Sequence, residues 1–252
     1  LGATLEEWNW ATYHFGPDLL PAVADTRGIT TISDRLRHLK SFAKTPSLVV
    51  GSHLRGIKAW AHYESTAQEH AAWSIDPALN ILLNTRRFRA IDIDVADQTA
   101  ASALEDFFRQ ALNVPMLVRG RAGSGKRTLL IKLADAPHLS KRVIHLPNGR
   151  GAIEFLANGQ QTALFGTHPD GERFVVRADD WNLPTGTVTL AALSSAWDTL
   201  RVAYDPSGAE RWNRPLAGDA EDMMPVGPRT ADTVSDDPVV SYLFEKGMVL
   251  EE

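Results

Sequence analysis

Two aspartates interrupt an otherwise apolar segment: Asp92 and Asp94 stand in Ala-Ile-Asp-Ile-Asp-Val. Alternate residues of a β-strand face the same side, so the two carboxylates are predicted to share one face while their apolar neighbours enter the core. Two like charges this close repel each other unless a cation lies between them. Carboxylate oxygens suit Mg²⁺ or Mn²⁺, so the pair predicts a divalent-metal site. A solvent-facing amphipathic strand is the alternative, although aspartate is unfavourable inside strands.

A third acid, Glu154, stands in the apolar segment Ala-Ile-Glu-Phe-Leu. It repeats the pattern of one acid in a predicted strand. As a third ligand it would complete a carboxylate cluster with Asp92 and Asp94. Taken alone, Glu154 is equally compatible with an ordinary solvent-facing position.

The segment 120–128 reads Gly-Arg-Ala-Gly-Ser-Gly-Lys-Arg-Thr and nearly matches the P-loop pattern. Arg127 stands where Ser or Thr should bind Mg²⁺, and the next residues predict a strand instead of the helix that a P-loop requires. We therefore do not expect a P-loop ATPase. Glycines still let the backbone approach a ligand, and the basic side chains attract phosphate. The candidate nucleotide-binding residues are Ser124, Lys126, Arg127, Arg119 and Arg121, and a hairpin with solvated basic side chains is the alternative.

His168 lies in a predicted turn, Phe-Gly-Thr-His-Pro-Asp-Gly. A lone histidine is often structural, but it could also bind a metal or donate a hydrogen bond to a phosphate. A Ser-His-acid hydrolase is not supported, because the chain has no Gly-x-Ser-x-Gly motif.

The elements that must position these residues follow from hydrophobic periodicity and turn signals. Helices are predicted over residues 3–14, 33–44, 66–73, 99–112 and 189–204, with Ser33, Thr66 and Thr189 as N-caps. Strands are predicted over residues 47–51, 78–83, 88–95, 116–119, 128–132, 152–156, 162–165 and 174–177. Asn158-Gly159 predicts a hairpin turn that joins two of these strands. This mixture predicts an α+β (mixed α/β) fold.

Charge is distributed unevenly along the 252 residues, whose net charge is −5. Residues 205–252 carry −7, so residues 1–204 carry +2, and residues 115–150 carry +7. This basic stretch is either a solvated face or a phosphate-binding surface. Its remaining candidates for nucleic-acid binding are Lys132, Lys141, Arg142 and Arg150. The acidic segment 205–252, rich in Pro, Gly and Asp, is predicted to be a linker that ends in a short helix.

Composition excludes several classes of protein. Hydrophobic residues make up 44% and charged residues 23%, which is compatible with a packed core. The chain has no cysteine, so disulfides, thiolate nucleophiles and cysteine-based zinc sites are excluded and no zinc is expected. No apolar run approaches the roughly 20 residues that a membrane span needs.

Taken in order, these segments resemble the primase–polymerase domain of the archaeo-eukaryotic primase superfamily, in the form found with phage and plasmid replication proteins. The resemblance runs from about Leu48 to Trp181. It rests on Lys-Ala-Trp at 58–60, Glu-Ser-Thr-Ala-Gln-Glu-His-Ala-Ala-Trp at 64–73, Ala-Leu-Asn-Ile-Leu-Leu at 78–83, Asp-x-Asp at 92–94, the acid at 154, Gly-Gln-Gln at 159–161 and Gly-Thr-His-Pro-Asp-Gly at 166–171. The second motif of the superfamily usually carries a phosphate-binding histidine, but Ser124-Gly-Lys126 stands at that place. Lysine can supply the charge without accepting a proton.

The resemblance implies a small N-terminal α/β unit that meets an RRM-like sheet at a cleft containing the active site. It implies a DNA primase and DNA polymerase activity in which Asp92, Asp94 and Glu154 hold two Mg²⁺ or Mn²⁺ ions. The candidate nucleotide-binding residues would bind the incoming nucleotide, and the candidate nucleic-acid-binding residues would bind the template. The implied substrates are dNTPs or NTPs with a single-stranded DNA template and primer. A replicative helicase is implied as a further module or partner. The implied location of the protein is the cytoplasm of a bacterial or archaeal host, away from membranes. In domain terms, residues 1–204 would be the catalytic domain.

Two other functions remain compatible with the residues. One is a non-catalytic module of the same fold that binds single-stranded nucleic acid. The other is a different phosphate-handling enzyme, either a metal-dependent nuclease or a P-loop NTPase.

Overall fold

Four α-helices and thirteen strands make up the part of the chain that the computed structural model describes, which is residues 1–204 apart from 40, 136, 137 and 183. The helices are α1 (Leu5–Phe15), α2 (Ala67–Ser74), α3 (Gln98–Leu112) and α4 (Leu190–Tyr204). The strands are β1 (Leu19–Val23), β2 (Thr31–Ile32), β3 (Ser47–Val50), β4 (His53–Gly56), β5 (Leu79–Asn84), β6 (Phe88–Val95), β7 (Leu117–Arg121), β8 (Arg127–Leu133), β9 (Arg142–His145), β10 (Gly151–Leu156), β11 (Gln161–Thr167), β12 (Arg173–Val176) and β13 (Thr187–Val188). The predicted α+β class is confirmed. The linker and short helix predicted for 205–252 lie outside the described residues.

Most strands belong to one large sheet with the order β1-β5-β11-β12-β7-β8-β6-β10-β9. All neighbours along this path are antiparallel, and β13 adds a short parallel pairing to β8. A separate three-stranded sheet has the order β2-β4-β3. The aspartate-bearing strand β6 therefore lies inside the large sheet, hydrogen-bonded on both edges. The particular two-part arrangement that the family resemblance implies stays a prediction.

One face of β6 enters the larger core. Ile91, Ile93 and Val95 are buried there with apolar residues of α3 and α4, as the alternation predicted. Burial of such side chains stabilises the fold by roughly 1.5–3 kcal/mol each. The opposite face begins with Phe88 and Ala90, which pack in a second core with α1. Asp92 and Asp94 continue this second face, so the packing of the first face fixes where both carboxylates point.

The predicted caps of two helices are confirmed. The Thr66 hydroxyl accepts from the backbone N–H of Glu69, and the Glu69 carboxylate accepts from the N–H of Thr66, which is a capping box. At the start of α4, the Thr189 hydroxyl accepts from the N–H of Ala192. None of the helices in the described ranges is long and apolar enough to cross a membrane.

The helix predicted over residues 33–44 is wrong. Ser33 makes no side-chain capping bond, and the described residues of this segment, which are 33–39 and 41–44, form only a 3-10 turn at Asp34–Leu36 with turns and bends around it. Leu36 is buried while Leu39 and Phe42 pack at the edge of the same core, so an irregular loop satisfies the apolar spacing that suggested a helix.

The hairpin predicted around Asn158-Gly159 is also wrong, although the chain does turn there. Strand β10 is already paired with β6 on one edge and β9 on the other, so it has no edge left for β11. Strand β11 instead pairs with β5 and β12. The chain therefore crosses from one half of the large sheet to the other at this turn.

Candidate active site

A single row of polar side chains crosses four strands on the second face of the sheet. In the strand register, Arg119 of β7 lies opposite Thr128 of β8, Thr128 opposite Asp92 of β6, and Asp92 opposite Glu154 of β10. Neighbouring strands lie about 4.8 Å apart, so the row brings Asp92 and Glu154 side by side. Asp94 follows two residues along β6 on the same face. The structure thus brings the three predicted metal-binding acids to one surface.

Each of these carboxylates has a basic partner. Asp92 accepts a hydrogen bond from the Thr128 hydroxyl and lies 3.8 Å from the Arg119 guanidinium. Asp94 lies 2.6 Å from the Lys126 ammonium, and Glu154 lies 3.1 Å from the Lys141 ammonium. The negative charge of the row is therefore balanced by cations that come from neighbouring strands and turns.

The donor set fits a divalent metal by its chemistry. All three side chains offer the carboxylate oxygens that Mg²⁺ and Mn²⁺ prefer, and they share one face of paired strands. Within the described ranges, no three His, Asp or Glu side chains lie close enough together to hold a metal ion. Lys126 and Lys141 contact the oxygens that a metal would use. Metal binding would therefore have to displace these two ammonium groups and bring the three carboxylates closer together.

The Gly-rich segment forms the turn between β7 and β8. Strand β8 follows it directly, so the geometry of a P-loop is absent here, as expected. A Cβ at Gly125 would lie 2.6 Å from the carbonyl oxygen of Ala96, so only glycine lets the turn approach the end of β6 this closely. The Ser124 hydroxyl accepts from the N–H of Lys126. Close packing on β6 thus places Lys126 beside Asp94.

Arg121 and His168 meet beside the turn that follows β11. Their Nη1 and Nδ1 atoms are 2.8 Å apart, and Asp170 contacts both side chains. Burial lowers the pKa of His168 most, and the charges of Lys44 and Arg121 lower it further, against the raising effect of Asp170. His168 is therefore predominantly neutral at pH 7.

Arg119 is the buried cation of the row. It donates to the Thr162 hydroxyl at 3.1 Å, and its guanidinium carbon lies 5.0 Å from the centre of the Phe174 ring. Among the described residues its Nε has no hydrogen-bond partner. Burial lowers the pKa of Arg119 most, Arg121 lowers it further and Asp92 raises it. A buried arginine that is only partly paired favours negative charge close to it.

The structure does not bring Arg127 and Arg142 to this face. Arg127 is buried on the α3 side, where it donates to Glu105 at 2.7 Å. Arg142 lies opposite Phe155 in the register, so it also faces the α-helical side, and it is buried. We therefore leave both residues out of the candidate site, although the sequence had suggested a nucleotide-binding and a nucleic-acid-binding role for them.

The other basic candidates lie around the row at different distances. The Lys141 ammonium forms an ion pair with the Glu154 carboxylate. Lys132 shares the face but lies at the opposite end of β8, roughly 13 Å from Thr128, with its ammonium 4.7 Å from the centre of the Phe88 ring. Arg150 is exposed in the turn before β10. These three remain accessible to a polyanion.

Sequence reasoning missed Lys44, which lies beside Arg119. It sits in the segment predicted to be a helix, so nothing local marked it. The pairing of β11 with β5 would have predicted it, because side chains of these two strands hold the loop before β3 close to the site.

Gly166→Ala is expected to destabilise the protein by about 2–4 kcal/mol. Gly166 has φ +103°, and a Cβ there would lie 1.8 Å from Asn80 Oδ1, which accepts from the N–H of Thr167 at 2.8 Å. The variant would both strain the backbone and disrupt a half-buried hydrogen bond. Urea unfolding measures the loss. The matched control is Gly171→Ala, whose φ of +96° is similar but whose Cβ would meet open space; equal losses for the two variants would contradict the role of the contact.

A surface that combines carboxylates with phosphate-seeking cations is typical of enzymes that act on nucleotides with divalent cations. The sequence model of the family "bifunctional DNA primase/polymerase, N-terminal" matches residues 14–194. This match covers more than half of the chain, so the chain belongs to that family, and the resemblance to a primase–polymerase domain is confirmed. No curated protein matches the chain. Membership of the family indicates an activity of the DNA primase and polymerase type, with nucleotides and DNA as the expected ligands.

Proposed function

We propose that this chain is a template-directed nucleotidyltransferase of a phage, plasmid or other mobile element. It would join dNTPs or NTPs on single-stranded DNA. The observation that carries the proposal is the row Arg119, Thr128, Asp92 and Glu154, which places acids and a buried arginine side by side on one face. Family membership supports the same activity.

In the proposed reaction, a 3′-hydroxyl oxygen forms a bond to the α-phosphorus of the incoming nucleotide. The bond from that phosphorus to the bridging oxygen of pyrophosphate breaks, and the hydroxyl proton passes to water. Two Mg²⁺ or Mn²⁺ ions held by Asp92, Asp94 and Glu154 would lower the pKa of the hydroxyl and neutralise charge on the leaving pyrophosphate.

The chain's own cations would bind and orient the triphosphate. Arg119 and Arg121 project from β7 beside the acids, and Lys126 projects from the turn next to them. Their fixed positive charges would stabilise the negative charge that builds up on pyrophosphate. Lys132, Lys141 and Arg150 would contact the DNA backbone without reading its sequence.

Primer extension on single-stranded DNA tests the proposal, with Mg²⁺ or Mn²⁺ crossed against dNTPs or NTPs and with or without primer. We expect incorporation that requires a divalent cation and stops when EDTA is added. Retained binding of single-stranded DNA without incorporation would instead favour a non-catalytic module. Degradation of DNA without nucleotides would indicate a nuclease. ATP hydrolysis lost in Lys126→Ala but retained in Asp92→Ala would indicate an NTPase.

A further inference from the structure

The side chains of Lys44, Arg119 and His168 surround the ring of Phe174. The Lys44 ammonium lies 5.9 Å from the ring centre and the Arg119 guanidinium carbon lies 5.0 Å from it. The His168 ring meets Phe174 edge to face at 5.5 Å. Lys44 comes from the loop before β3, whereas the other residues come from β7, β12 and the turn after β11. The loop therefore adds a cation to a site built by the large sheet.

The backbone of this loop is held in place by two side chains of the large sheet. Asn80 Nδ2 donates to the carbonyl of Ala43 at 2.9 Å and to that of Thr167 at 2.8 Å. Gln161 Nε2 donates to the carbonyl of Lys44 itself at 2.6 Å. Lys44 is thus presented by a backbone fastened to both β5 and β11, which reduces the entropy lost when its side chain binds a ligand.

Lys44 carries a charge that the neighbouring acids only partly balance. It is exposed as a residue, but the protein around its ammonium displaces water, and this lowers the pKa of Lys44 most. Arg119 and Arg121 lower that pKa further, while Asp92 and Asp94 raise it. If divalent cations engage the two aspartates, Lys44 and Arg119 lose the acids that balance them, whereas Arg121 keeps Asp170 as its partner. The net positive charge that remains at this place attracts a polyanion.

We propose that Lys44, together with Arg119 and Arg121, binds the polyphosphate of the incoming nucleotide. The inference rests on the proposed function for the identity of the nucleotide. The phosphate-binding chemistry itself follows from the cations around Phe174. Lys44 is therefore a substrate-binding residue that the loop before β3 supplies.

Lys44→Ala in the full chain is expected to raise KM for the nucleotide about 10-fold, since hydrogen bonds to charged groups contribute this much or more. The kcat should change less than about 3-fold, because the proposed role of Lys44 is to bind the polyphosphate and not to hold the metal ions. Lys44→Arg should restore most of the lost affinity. Lys58→Ala, another exposed lysine, is the matched control and should leave both constants unchanged. An unchanged KM in Lys44→Ala would overturn the proposal.

Binding of inorganic tripolyphosphate, measured by calorimetry without DNA, separates this inference from the proposed function. We expect the Kd of the wild-type chain to be about 10-fold lower than that of Lys44→Ala, and Lys58→Ala to match the wild type. If the chain fails to incorporate nucleotides but shows this difference, the proposed function fails and the phosphate site stands. If wild type and Lys44→Ala bind tripolyphosphate equally, the phosphate site is wrong even when polymerisation is observed. Thermal unfolding of each variant verifies that it is folded, as expected for a substitution at an exposed residue.

Discussion

Asp92→Asn is expected to reduce the rate of nucleotide incorporation by roughly 1,000-fold or more while leaving the fold intact. The substitution removes the negative charge at the centre of the row but keeps the size of the side chain and an oxygen that can accept from Thr128. A metal site that loses a central carboxylate loses both affinity and the charge that positions the reacting groups. The effect should therefore fall on chemistry rather than on stability.

Single-turnover primer extension with Mg²⁺ or Mn²⁺ measures this loss. Asp106→Asn is the matched control, because Asp106 is an exposed aspartate of α3, on the far side of the sheet. Its rate should equal that of the wild type. Incorporation by Asp92→Asn at more than about a tenth of the wild-type rate would show that the row is not the catalytic centre.

Glu105→Gln is expected to lower the free energy of unfolding by about 3–5 kcal/mol. Glu105 of α3 is buried and accepts hydrogen bonds from Arg109, Arg127 and Arg177 at distances of 2.5 to 2.9 Å. Burial alone would raise the pKa of Glu105, but the hydrogen bonds from Arg177, Arg127 and Arg109 outweigh it and lower the pKa to about 2. The neutral amide would leave Arg127 buried without its counterion, which is the costly outcome.

Urea unfolding at several pH values tests this prediction. The folded pKa lies below the ordinary value of 4.5, so the contribution of the ionised carboxylate is fully present above about pH 5 and is lost as the pH falls towards 2. The difference between wild type and Glu105→Gln should therefore shrink over that range. Glu6→Gln, at an exposed position in the first turn of α1, should cost less than about 1 kcal/mol. A pH-independent difference for Glu105→Gln would contradict the assignment of the effect to this charge.

The sequence was sufficient to locate the acidic strand, because two aspartates interrupt a strongly apolar pattern and alternation fixes their shared face. The capping box at Thr66 was equally local. The face of the sheet on which Arg127 lies could not be predicted in this way. Leu129, Leu130 and Ile131 are all buried, so the apolar pattern of β8 does not distinguish the two faces.

The errors lie where pairing between distant segments decides the structure. A turn signal at Asn158-Gly159 predicts a reversal of the chain but cannot show that both edges of β10 are already occupied. Apolar spacing in residues 33–44 predicts a buried face but does not distinguish a helix from a packed loop. The position of Lys44 depends on both the crossing of the chain and the packed loop. Local sequence patterns therefore could not predict it.

The crossing of the chain after β10 also governs how the site assembles during folding. Asp92, Asp94 and Glu154 lie on the paired strands β6 and β10, within residues 88–156. Lys44 and Phe174, in contrast, reach Arg119 only when β11 inserts between β5 and β12. Contacts over still longer separations also form, since Arg173 donates to the carbonyl of Gly2, 171 positions away. Closing loops of this length costs entropy before contacts are gained, and topologies rich in such contacts fold slowly. We therefore expect the acidic half of the site to form by early, more local pairing, and the cations around Phe174 to be brought together by late closure of the sheet.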